Sequence, residues 1–376
     1  MKFTVDRAVL LKALAHVQSV VERRNTIPIL ANVLIEANQQ GVLRLIATDM
    51  EIAVQEEVPG VTVARAGRTT APAATLYEIT RNLPDGARVE LDHPGGDAPL
   101  ALRAGRFATS LTVLPVEDFP AMTEGRLPTG FALKAGVLRD LIDRTKFAIS
   151  TEETRYYLNG IYLHATSVDG TPVLRAVATD GHRLARVEEP LPEGAAGMPG
   201  VIIPRKTVNE LRKLAEETQE DIALSLSDTK VKFTIGTVTL VSKLIDGTFP
   251  EYERVIPRGN DKVLSVDKKA FSDAVKRVAA ISSERSRPVK LSIDRNLLVL
   301  SAASPEQGQA QEELDGDVVE YASTPLEIGF QARYLADITD QIGEKVVFYF
   351  ADGSAPTIVK DAAKDEALYV LMPMRV

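Results

Sequence analysis

The stretch FTVDRAVLLKAL at residues 3–14 decides the fold, because related stretches return twice, as FALKAGVLRDLI at 131–142 and LSVDKKAFSDAV at 264–275. In each copy the first apolar residues alternate with polar ones, as in a half-buried strand, and the later ones follow helical spacing. Each copy therefore predicts a strand that turns into an amphipathic helix. The offsets between copies are 128 and 133 residues, close to one third of the 376-residue chain.

Later elements recur at similar offsets. LIATD at 45–49 matches AVATD at 176–180, and LPVEDFP at 114–120 echoes LIDGTFP at 244–250. Short alternating segments that predict strands lie between the helices, for example at 87–91, 230–235 and 290–300. The repeating unit is strand, helix, strands, helix, strands, used three times, which predicts an α+β protein of three topologically similar domains. We expect domains at 1–125, 129–257 and 262–376, with turn-rich linkers at 123–128 and 257–261.

The overall composition excludes several classes of protein. Cysteine is absent, which excludes disulfides, thiolate catalysis and cysteine-based zinc sites. The chain begins without an apolar signal-peptide core and has no apolar run of about 18 residues, so a cytoplasmic location is expected. The net charge is −8 and the pI is about 5.3, which by themselves argue against a nucleic-acid partner.

The total charge argues against a nucleic-acid partner, but the distribution of charge along the chain is compatible with one. The predicted helices carry 15 Lys and Arg against 9 Asp and Glu, a net of +6, so the remainder carries −14. The helices concerned are 7–20, 74–83, 135–147, 205–217, 268–280 and 332–342. Either helix ends simply attract solvated charge, or all six helices line one face that meets phosphate. No zinc-finger, leucine-zipper or RNA-binding motif accompanies them, which favours sequence-independent backbone contact.

A search for catalytic chemistry finds no P-loop, no GxGxxG, no GxSxG and no HExxH, and the four histidines lack metal-ligand spacing. No cofactor or metal is therefore expected. One dense stretch, TDGHRL at 179–184, together with RYYLNG at 155–160, could be a catalytic site or a binding pocket. The matching stretch TDMEI at 48–52 lacks its His and Arg, which indicates that the middle copy has gained a function. Asp49 and Asp180 themselves are interpreted as turn residues after a strand.

Long ordered motifs resemble the bacterial DNA sliding clamp family, the beta subunit of DNA polymerase III. They are MKFTV at 1–5, RYYLNG at 155–160, ATDGHRLA at 178–185, IPRK at 203–206, SKLIDGTFP at 242–250 and YVLMPMR at 369–375. The resemblance implies a non-enzymatic processivity factor with the DNA clamp fold. Two copies would join head to tail in a homodimeric ring, with helices lining the hole, sheets outside and double-stranded DNA inside. Partners would be the polymerase III alpha subunit, the clamp loader, and other polymerases and repair proteins.

The resemblance also implies a groove for client peptides that carry a Gln and hydrophobic anchors. The matching residues are Arg155, Tyr157, Leu158, Thr179, Gly181, His182, Arg183, Leu184, Pro250, Val255, Gln331, Tyr334, Ser354, Met372, Pro373, Met374 and Arg375. DNA contact is implied for Arg24 and Tyr156, and the dimer interface for Arg106 and Ile281. Two departures are notable: Gln331 stands where Asn is common, and Glu152 and Glu153 make the loop beside Tyr156 acidic.

Two rival functions compete with a clamp. One is an enzyme that uses His182, Arg183 and Tyr157 on a phosphate ester. The other is a monomeric DNA-binding module, whose affinity would depend steeply on salt and would not depend on free DNA ends.

Overall fold

The structure, a computed structural model, describes residues 1–22, 26–120, 122, 125–281 and 288–375. Over these residues it contains six α-helices and 26 β-strands, and three consecutive segments repeat one element order. The first segment contains β1 (Lys2–Asp6), α1 (Arg7–Gln18), β2 (Asn32–Ala37), β3 (Leu43–Thr48), β4 (Ile52–Val58), β5 (Thr62–Arg65), β6 (Gly67–Pro72), α2 (Ala73–Asn82), β7 (Arg88–Asp92), β8 (Leu100–Ala104) and β9 (Phe107–Leu111).

The second and third segments follow the same plan. The second contains β10 (Thr129–Lys134), α3 (Ala135–Asp143), β11 (Gly160–Val168), β12 (Thr171–Thr179), β13 (Arg183–Pro190), β14 (Val201–Pro204), α4 (Arg205–Glu216), β15 (Asp221–Leu226), β16 (Lys230–Ile235) and β17 (Val238–Lys243). The third contains β18 (Lys262–Asp267), α5 (Lys268–Ala279), β19 (Pro288–Asp294), β20 (Leu297–Ser304), β21 (Gly308–Asp315), β22 (Val319–Tyr321), β23 (Leu326–Gln331), α6 (Ala332–Thr339), β24 (Lys345–Phe350), β25 (Thr357–Asp361) and β26 (Lys364–Leu371).

All six predicted helices exist, and each begins within one residue of its predicted start. Asp6 and Asp267 cap α1 and α5, because their carboxylates accept the N–H groups of Ala8 and Ala270 at 2.9 and 2.8 Å. The predicted ends were too long by one to four residues. In α3, the hydroxyl of Thr145 donates to the carbonyl of Leu141 at 2.5 Å, and a short 3₁₀ turn replaces the last predicted turn.

The segment predicted as one strand at 290–300 is a hairpin instead, so that prediction was wrong. Its turn lies at Arg295 and Asn296, and Asn296 has a φ of 50°. Asparagine tolerates this left-handed conformation better than most residues and therefore suits the turn. The alternation of apolar and polar residues continues on both sides of the turn and conceals it in the sequence.

The chain divides into two compact units. The first comprises Met1–Leu138, Pro192–Ala195 and Lys206–Leu244, and the second comprises Arg139–Leu191, Ala196–Arg205 and Ile245–Val376. The first unit holds a five-stranded sheet, in the order β5-β1-β7-β8-β9, and an eight-stranded sheet, in the order β10-β15-β16-β17-β4-β3-β2-β6. The second holds a nine-stranded sheet, β14-β11-β12-β13-β26-β25-β24-β18-β22, and a four-stranded sheet, β21-β20-β19-β23. The predicted three-domain boundaries stay a prediction.

Each unit buries the apolar face of its helices. In the first unit, Leu10, Leu14 and Val17 of α1 are fully buried. In the second, Phe271 of α5 packs against Phe348, with ring centroids 5.3 Å apart. The repeated apolar positions of the sequence are therefore core positions, and most charged positions lie outside the core, with Glu210 of α4 as a buried exception. With the observed boundaries the helices carry 13 Lys and Arg against 7 Asp and Glu, again a net charge of +6.

Candidate functional site

The turn at residues 179–183 is held by the side chains of its first two residues. The hydroxyl of Thr179 donates to the carbonyl of Arg183 at 2.7 Å and accepts the N–H of Gly181 at 3.1 Å. The carboxylate of Asp180 accepts the N–H groups of His182 and Arg183 at 2.9 and 3.0 Å. These bonds fix the backbone that joins β12 to β13.

The same turn is built in the first segment. Thr48 and Asp49 make the same four bonds to residues 50–52, at 2.8–3.0 Å. Met50 takes a φ of 77°, close to the 87° of Gly181 at the matching position. The interpretation of both aspartates as turn residues is confirmed, and this hydrogen-bonding pattern explains why the Thr-Asp pair recurs in the sequence.

A cavity of about 490 Å³ opens beside the second of these turns, within the second unit. Ten residues that the resemblance assigns to a peptide groove line it: Arg155, Tyr157, Leu158, Thr179, Gly181, Arg183, Leu184, Pro250, Val255 and Met372. Six further residues line it that the sequence analysis missed: Glu251, Tyr252, Arg254, Pro257, Pro356 and Val370. We call these sixteen residues the groove.

Some of the groove residues that the sequence analysis missed could have been found from their position in the sequence. Four of the six missed residues lie in 250–257, a short stretch that already held two predicted members, Pro250 and Val255. Val370 had no such signal. It reaches the groove because β26 pairs with β13 and sets Val370 opposite Leu184, a register that periodicity alone does not reveal.

The floor of the groove is apolar and buried, whereas its rim is exposed. Leu158, Leu184 and Val370 are buried and pack in one cluster with Phe249 and Tyr252. At the rim, Val255 and Met372 are 53% and 42% exposed. Removing apolar surface from water is favourable by about 25 cal/mol per Å². An apolar ligand side chain that enters the groove would therefore gain free energy from its own buried surface and from the surface of the groove that it covers.

Arg155 forms one wall and is held in place by three acceptors. Its Nε and Nη2 atoms donate to the two carboxylate oxygens of Glu152 at 2.9 and 2.7 Å, and Nη2 also donates to the carbonyl of Asp180 at 3.0 Å. The hydrogen bond from Arg155 holds the pKa of the Glu152 carboxyl below its usual value. Gly181 allows this arrangement, because a Cβ atom there would lie 2.4 Å from Nη1 of Arg155.

Arg183 lines the groove but is only 5% exposed. Its Nε donates to Asp180 at 3.1 Å, its Nη1 to Asp337 at 2.5 Å and its Nη2 to the carbonyl of Phe147 at 2.6 Å. The guanidinium carbon also lies 4.4 Å from the ring centroid of Tyr334. Each nitrogen of the buried cation thus donates to an acceptor, so Arg183 holds Asp180, Asp337 and Phe147 in position.

Seven predicted groove residues are not part of the cavity lining: His182, Gln331, Tyr334, Ser354, Pro373, Met374 and Arg375. The His182 ring is stacked on Tyr334, with centroids 6.2 Å apart, and the carbonyl of His182 accepts the N–H of Met372 at 2.9 Å. Met374 donates its N–H to the carbonyl of Gly329 at 2.9 Å. These bonds anchor the carboxyl-terminal residues beside the groove, and the direct role of all seven residues stays a prediction.

Two of the seven have distinctive polar environments. Gln331 precedes α6, and its Oε1 atom is buried without a hydrogen-bond partner in the described part of the chain. Ser354 lies in an exposed turn, where its hydroxyl donates to Asp352 at 2.8 Å. Pro373 is half-buried and Arg375 is exposed.

The other predicted contact residues lie outside the groove. Tyr156 is 53% exposed and rests edge-on against Tyr157. Arg106 is exposed in the turn before β9, and Ile281 is half-buried after α5. Arg24 lies outside the described residues.

The chain matches known proteins over its full length. Sequence models of the DNA polymerase III beta subunit match its N-terminal domain at 1–123, its central domain at 132–251 and its C-terminal domain at 253–375. The chain belongs to the DNA polymerase III beta subunit family. The beta sliding clamp of Caulobacter vibrioides is 52% identical and that of Escherichia coli K12 is 36% identical, each with 100% of both chains covered.

Solved beta sliding clamps agree with this membership. A Caulobacter crescentus clamp, crystallised with polyethylene glycol bound, has a TM-score of 0.97 at 52% identity and covers 100% of this chain and 99% of its own. A Bartonella birtlesii clamp bound to griselimycin has a TM-score of 0.96 at 49% identity, with both chains fully covered. The predicted family, clamp fold and function as a sliding clamp that tethers polymerases are confirmed.

The family also decides between binding and catalysis. Beta subunits are processivity factors and not enzymes. Membership of this family therefore argues against the hypothesis of an enzyme that uses His182, Arg183 and Tyr157 on a phosphate ester. In the part of the chain that the structure describes, every helix is too short or too polar to span a bilayer.

Proposed function

We propose that the groove binds short peptide segments of the polymerases and repair proteins that this beta subunit tethers. The observation that carries the proposal is the pairing of a buried apolar floor with an exposed apolar rim, in particular Met372 above Leu184 and Val370. Such a cavity of about 490 Å³ accepts one or two apolar side chains. Methionine at the rim adapts its shape to different ligands, which suits a clamp with several clients.

The polar groups of the groove supply orientation. Arg155, Thr179, Glu251 and Arg254 all line the groove, so both donors and acceptors are available there to a peptide backbone or a Gln amide. A flexible peptide loses conformational entropy when it binds, so affinity per site is modest and clients exchange. The griselimycin complex of the Bartonella birtlesii relative supports ligand binding by a clamp of this kind.

Removal of residues 372–376 tests the groove. We expect the truncated chain to lose affinity for a labelled client peptide while it keeps the oligomeric state of the full-length protein, as judged from its native mass. Met372→Ala is the milder variant, with a loss of about tenfold, because one apolar side chain contributes about 1.5–3 kcal/mol when fully buried and Met372 is only partly so. Met50→Ala, at a similarly exposed methionine in the first unit, is the matched control. Normal peptide binding by the truncated chain would contradict the assignment.

We also propose that two copies close head to tail into a homodimeric ring, with Arg106 and Ile281 at the contact. Two open sheet edges support this proposal. The five-stranded sheet ends at β9, where Phe107 is 43% exposed, and the four-stranded sheet ends at β21. An exposed edge strand is a template for pairing with another chain, and a closed ring removes such edges. A native mass of one chain at micromolar concentration would overturn the ring.

Double-stranded DNA is the proposed occupant of the ring, with Arg24 and Tyr156 among its contacts. The exposed ring of Tyr156 and the positive balance of the helices support this, and the ion pair with Arg155 partly offsets the charge of Glu152 in the adjacent loop. After loading by an ATP-dependent clamp loader, the protein should leave linear DNA through its ends and stay on circular DNA. A monomeric module would show no difference between the two.

The remaining expectations belong to the same proposal. They are three domains at 1–125, 129–257 and 262–376, helices that line the hole, the polymerase III alpha subunit as a client, no cofactor and a cytoplasmic location.

A further inference from the structure

A second cavity, of about 880 Å³, lies next to the groove in the same unit. It is lined by Tyr162, His164, Thr166, Phe249, Ile256, Glu253 and Arg258, and by five residues that also line the groove: Pro250, Glu251, Tyr252, Arg254 and Pro257. The shared residues form a single stretch of chain at 250–257. This stretch is therefore a common wall, and a ligand that crosses it passes directly from the groove into the second cavity. We call the second cavity the flanking cavity.

The floor of the flanking cavity is a stack of rings. The ring of Tyr162 lies parallel to that of Phe249, with centroids 4.8 Å apart and an interplanar angle of 9°. The ring of His164 also stacks on Tyr162, with centroids 4.6 Å apart and an interplanar angle of 24°. Phe249 is buried, whereas Tyr162 is half-buried and faces the cavity. Stacked rings present a rigid apolar surface, so little side-chain entropy is lost when a ligand covers them.

Hydrogen bonds hold the common wall against this floor. Nε2 of His164 lies 2.9 Å from the hydroxyl of Tyr252, and Nη1 of Arg175 donates to the same hydroxyl at 2.7 Å. Burial lowers the pKa of His164, so the ring is neutral at pH 7 and its Nε2 accepts the Tyr252 proton. The hydroxyl then donates once and accepts once, which holds Tyr252 of the common wall in place.

Most charged side chains at the rim of the flanking cavity are paired with one another or with a neighbour. Glu251 is paired with Arg254 and Glu253 with Arg175. Arg258 is exposed and has no ion-pair partner within 4.0 Å among the described residues. An acidic ligand group would therefore meet an unpaired guanidinium, whereas a basic group would have to compete with Arg254 and Arg175 for the carboxylates.

We propose that the flanking cavity binds the residues next to the anchor peptide of a client chain, and that it selects an aromatic or aliphatic side chain beside an acidic one. The apolar side chain lies against Tyr162 and the common wall, and the acidic one pairs with Arg258. This inference rests on the proposed function, because the groove must first hold the anchor. Once the anchor is bound, its flanks reach the cavity at millimolar effective concentration, so weak contacts are sufficient.

The test measures the fluorescence anisotropy of fluorescein-labelled peptides of three designs, five peptides in all, with the full-length protein. The core peptide has six residues, with one Gln and two Leu. The second carries Asp-Phe-Asp as an extension, placed at each end in turn, and the third carries Lys-Ser-Lys in the same places. We expect the Asp-Phe-Asp extension at one end to tighten binding about three- to tenfold relative to the core peptide, because its Phe ring partly covers Tyr162 and one Asp forms an exposed ion pair with Arg258. The Lys-Ser-Lys extension should have no such effect.

Charge reversal at the rim makes the test specific. Arg258→Glu should remove the gain from Asp-Phe-Asp and leave the affinity for the core peptide unchanged, because Arg258 does not line the groove. Arg295→Glu, the same charge change at an exposed hairpin turn that lines neither cavity, is the matched control. If the core binds but both extensions bind no tighter, or tighten equally, the flanking cavity is not a client subsite. If the core itself fails to bind the unaltered protein, the proposed function of the groove fails first.

Discussion

The Nδ1 atom of His16 lies 2.7 Å from Oε2 of Glu56. The other ring nitrogen, Nε2, lies 2.9 Å from Oε1 of Glu217, a residue 201 positions away in the chain, and Lys12 also pairs with Glu217 at 3.1 Å. Both carboxylates can accept a hydrogen bond only if both ring nitrogens carry a proton. The geometry therefore describes an imidazolium that links α1 to β4 and to the residue that follows α4.

This link makes the stability of the first unit depend on pH. Burial opposes the charge on His16, but the bonds to Glu56 and Glu217 outweigh it and raise the pKa of His16 above its ordinary value. A raised pKa in the folded state stabilises the protein at pH values below 6.5 and loses that contribution as the pH rises through the folded-state value. We expect His16→Gln to reduce the free energy of unfolding by roughly 2 kcal/mol at pH 6 and by clearly less at pH 9, measured by urea denaturation.

His93 provides a control of opposite sign in the same unit. Burial lowers the pKa of His93, helped by the terminal ammonium group and Arg65, and neither ring nitrogen has a hydrogen-bond partner among the described residues. The unfolded chain takes up this proton more readily, so His93 destabilises the protein as the pH falls below 6.5. An equal effect of His16→Gln at both pH values would contradict the imidazolium link.

Arg183 is expected to be the most sensitive polar residue of the groove. Arg183→Ala leaves Asp180 and Asp337 without their cation and opens a void under Tyr334, which should reduce the free energy of unfolding by about 3–5 kcal/mol. Arg333→Ala is the matched control, because Arg333 also pairs with Asp337, at 3.6 Å, but is 78% exposed. We expect less than about 0.5 kcal/mol for the control. Chemical denaturation followed by circular dichroism compares them, and similar losses would refute the buried role of Arg183.

Gly181 should be needed for the shape of the groove wall. Gly181→Ala places a Cβ atom 2.4 Å from Nη1 of Arg155, so the guanidinium must leave the Asp180 carbonyl. Gly170→Ala has nearly the same backbone strain, since φ is 82° against 87°, but its new Cβ meets open space. Both variants should lose about 1 kcal/mol of stability, whereas only Gly181→Ala should weaken client-peptide binding in an anisotropy titration. Equal peptide affinities for the two variants would exclude a role for Arg155 in the groove.

Tyr369 and Tyr252 should respond oppositely to loss of their hydroxyl groups. The hydroxyl of Tyr369 is buried without a hydrogen-bond partner among the described residues, and burial raises its pKa. Tyr369→Phe should therefore stabilise the protein or leave it unchanged, by at most about 1 kcal/mol. Tyr252→Phe leaves Arg175 and His164 without their shared partner and should destabilise it by about 1–3 kcal/mol. Thermal unfolding separates the two, and a destabilised Tyr369→Phe would reveal a bound water at that hydroxyl.

The sequence alone determined the local elements of this protein. The repeated starts at residues 3, 131 and 264 predicted the three strand-to-helix units, and the Thr-Asp pairs predicted the two matching turns. These features depend on side chains within about four residues of one another, through helical or strand periodicity and through hydrogen bonds across a turn. Ten of the sixteen groove residues followed from the family resemblance, nine of them from its motifs and Val255 from outside them.

Only the tertiary structure decided what those elements bring together. The pairing of β13 with β26 sets Leu184 beside Val370, and the rings of Tyr162, Phe249 and His164 stack across almost ninety residues of chain. The links from His16 to Glu217 and from Arg183 to Asp337 join residues that are 201 and 154 positions apart. A sheet register or a buried ion pair is selected by the packing of the whole unit, because its free energy depends on desolvation that no local stretch of sequence defines.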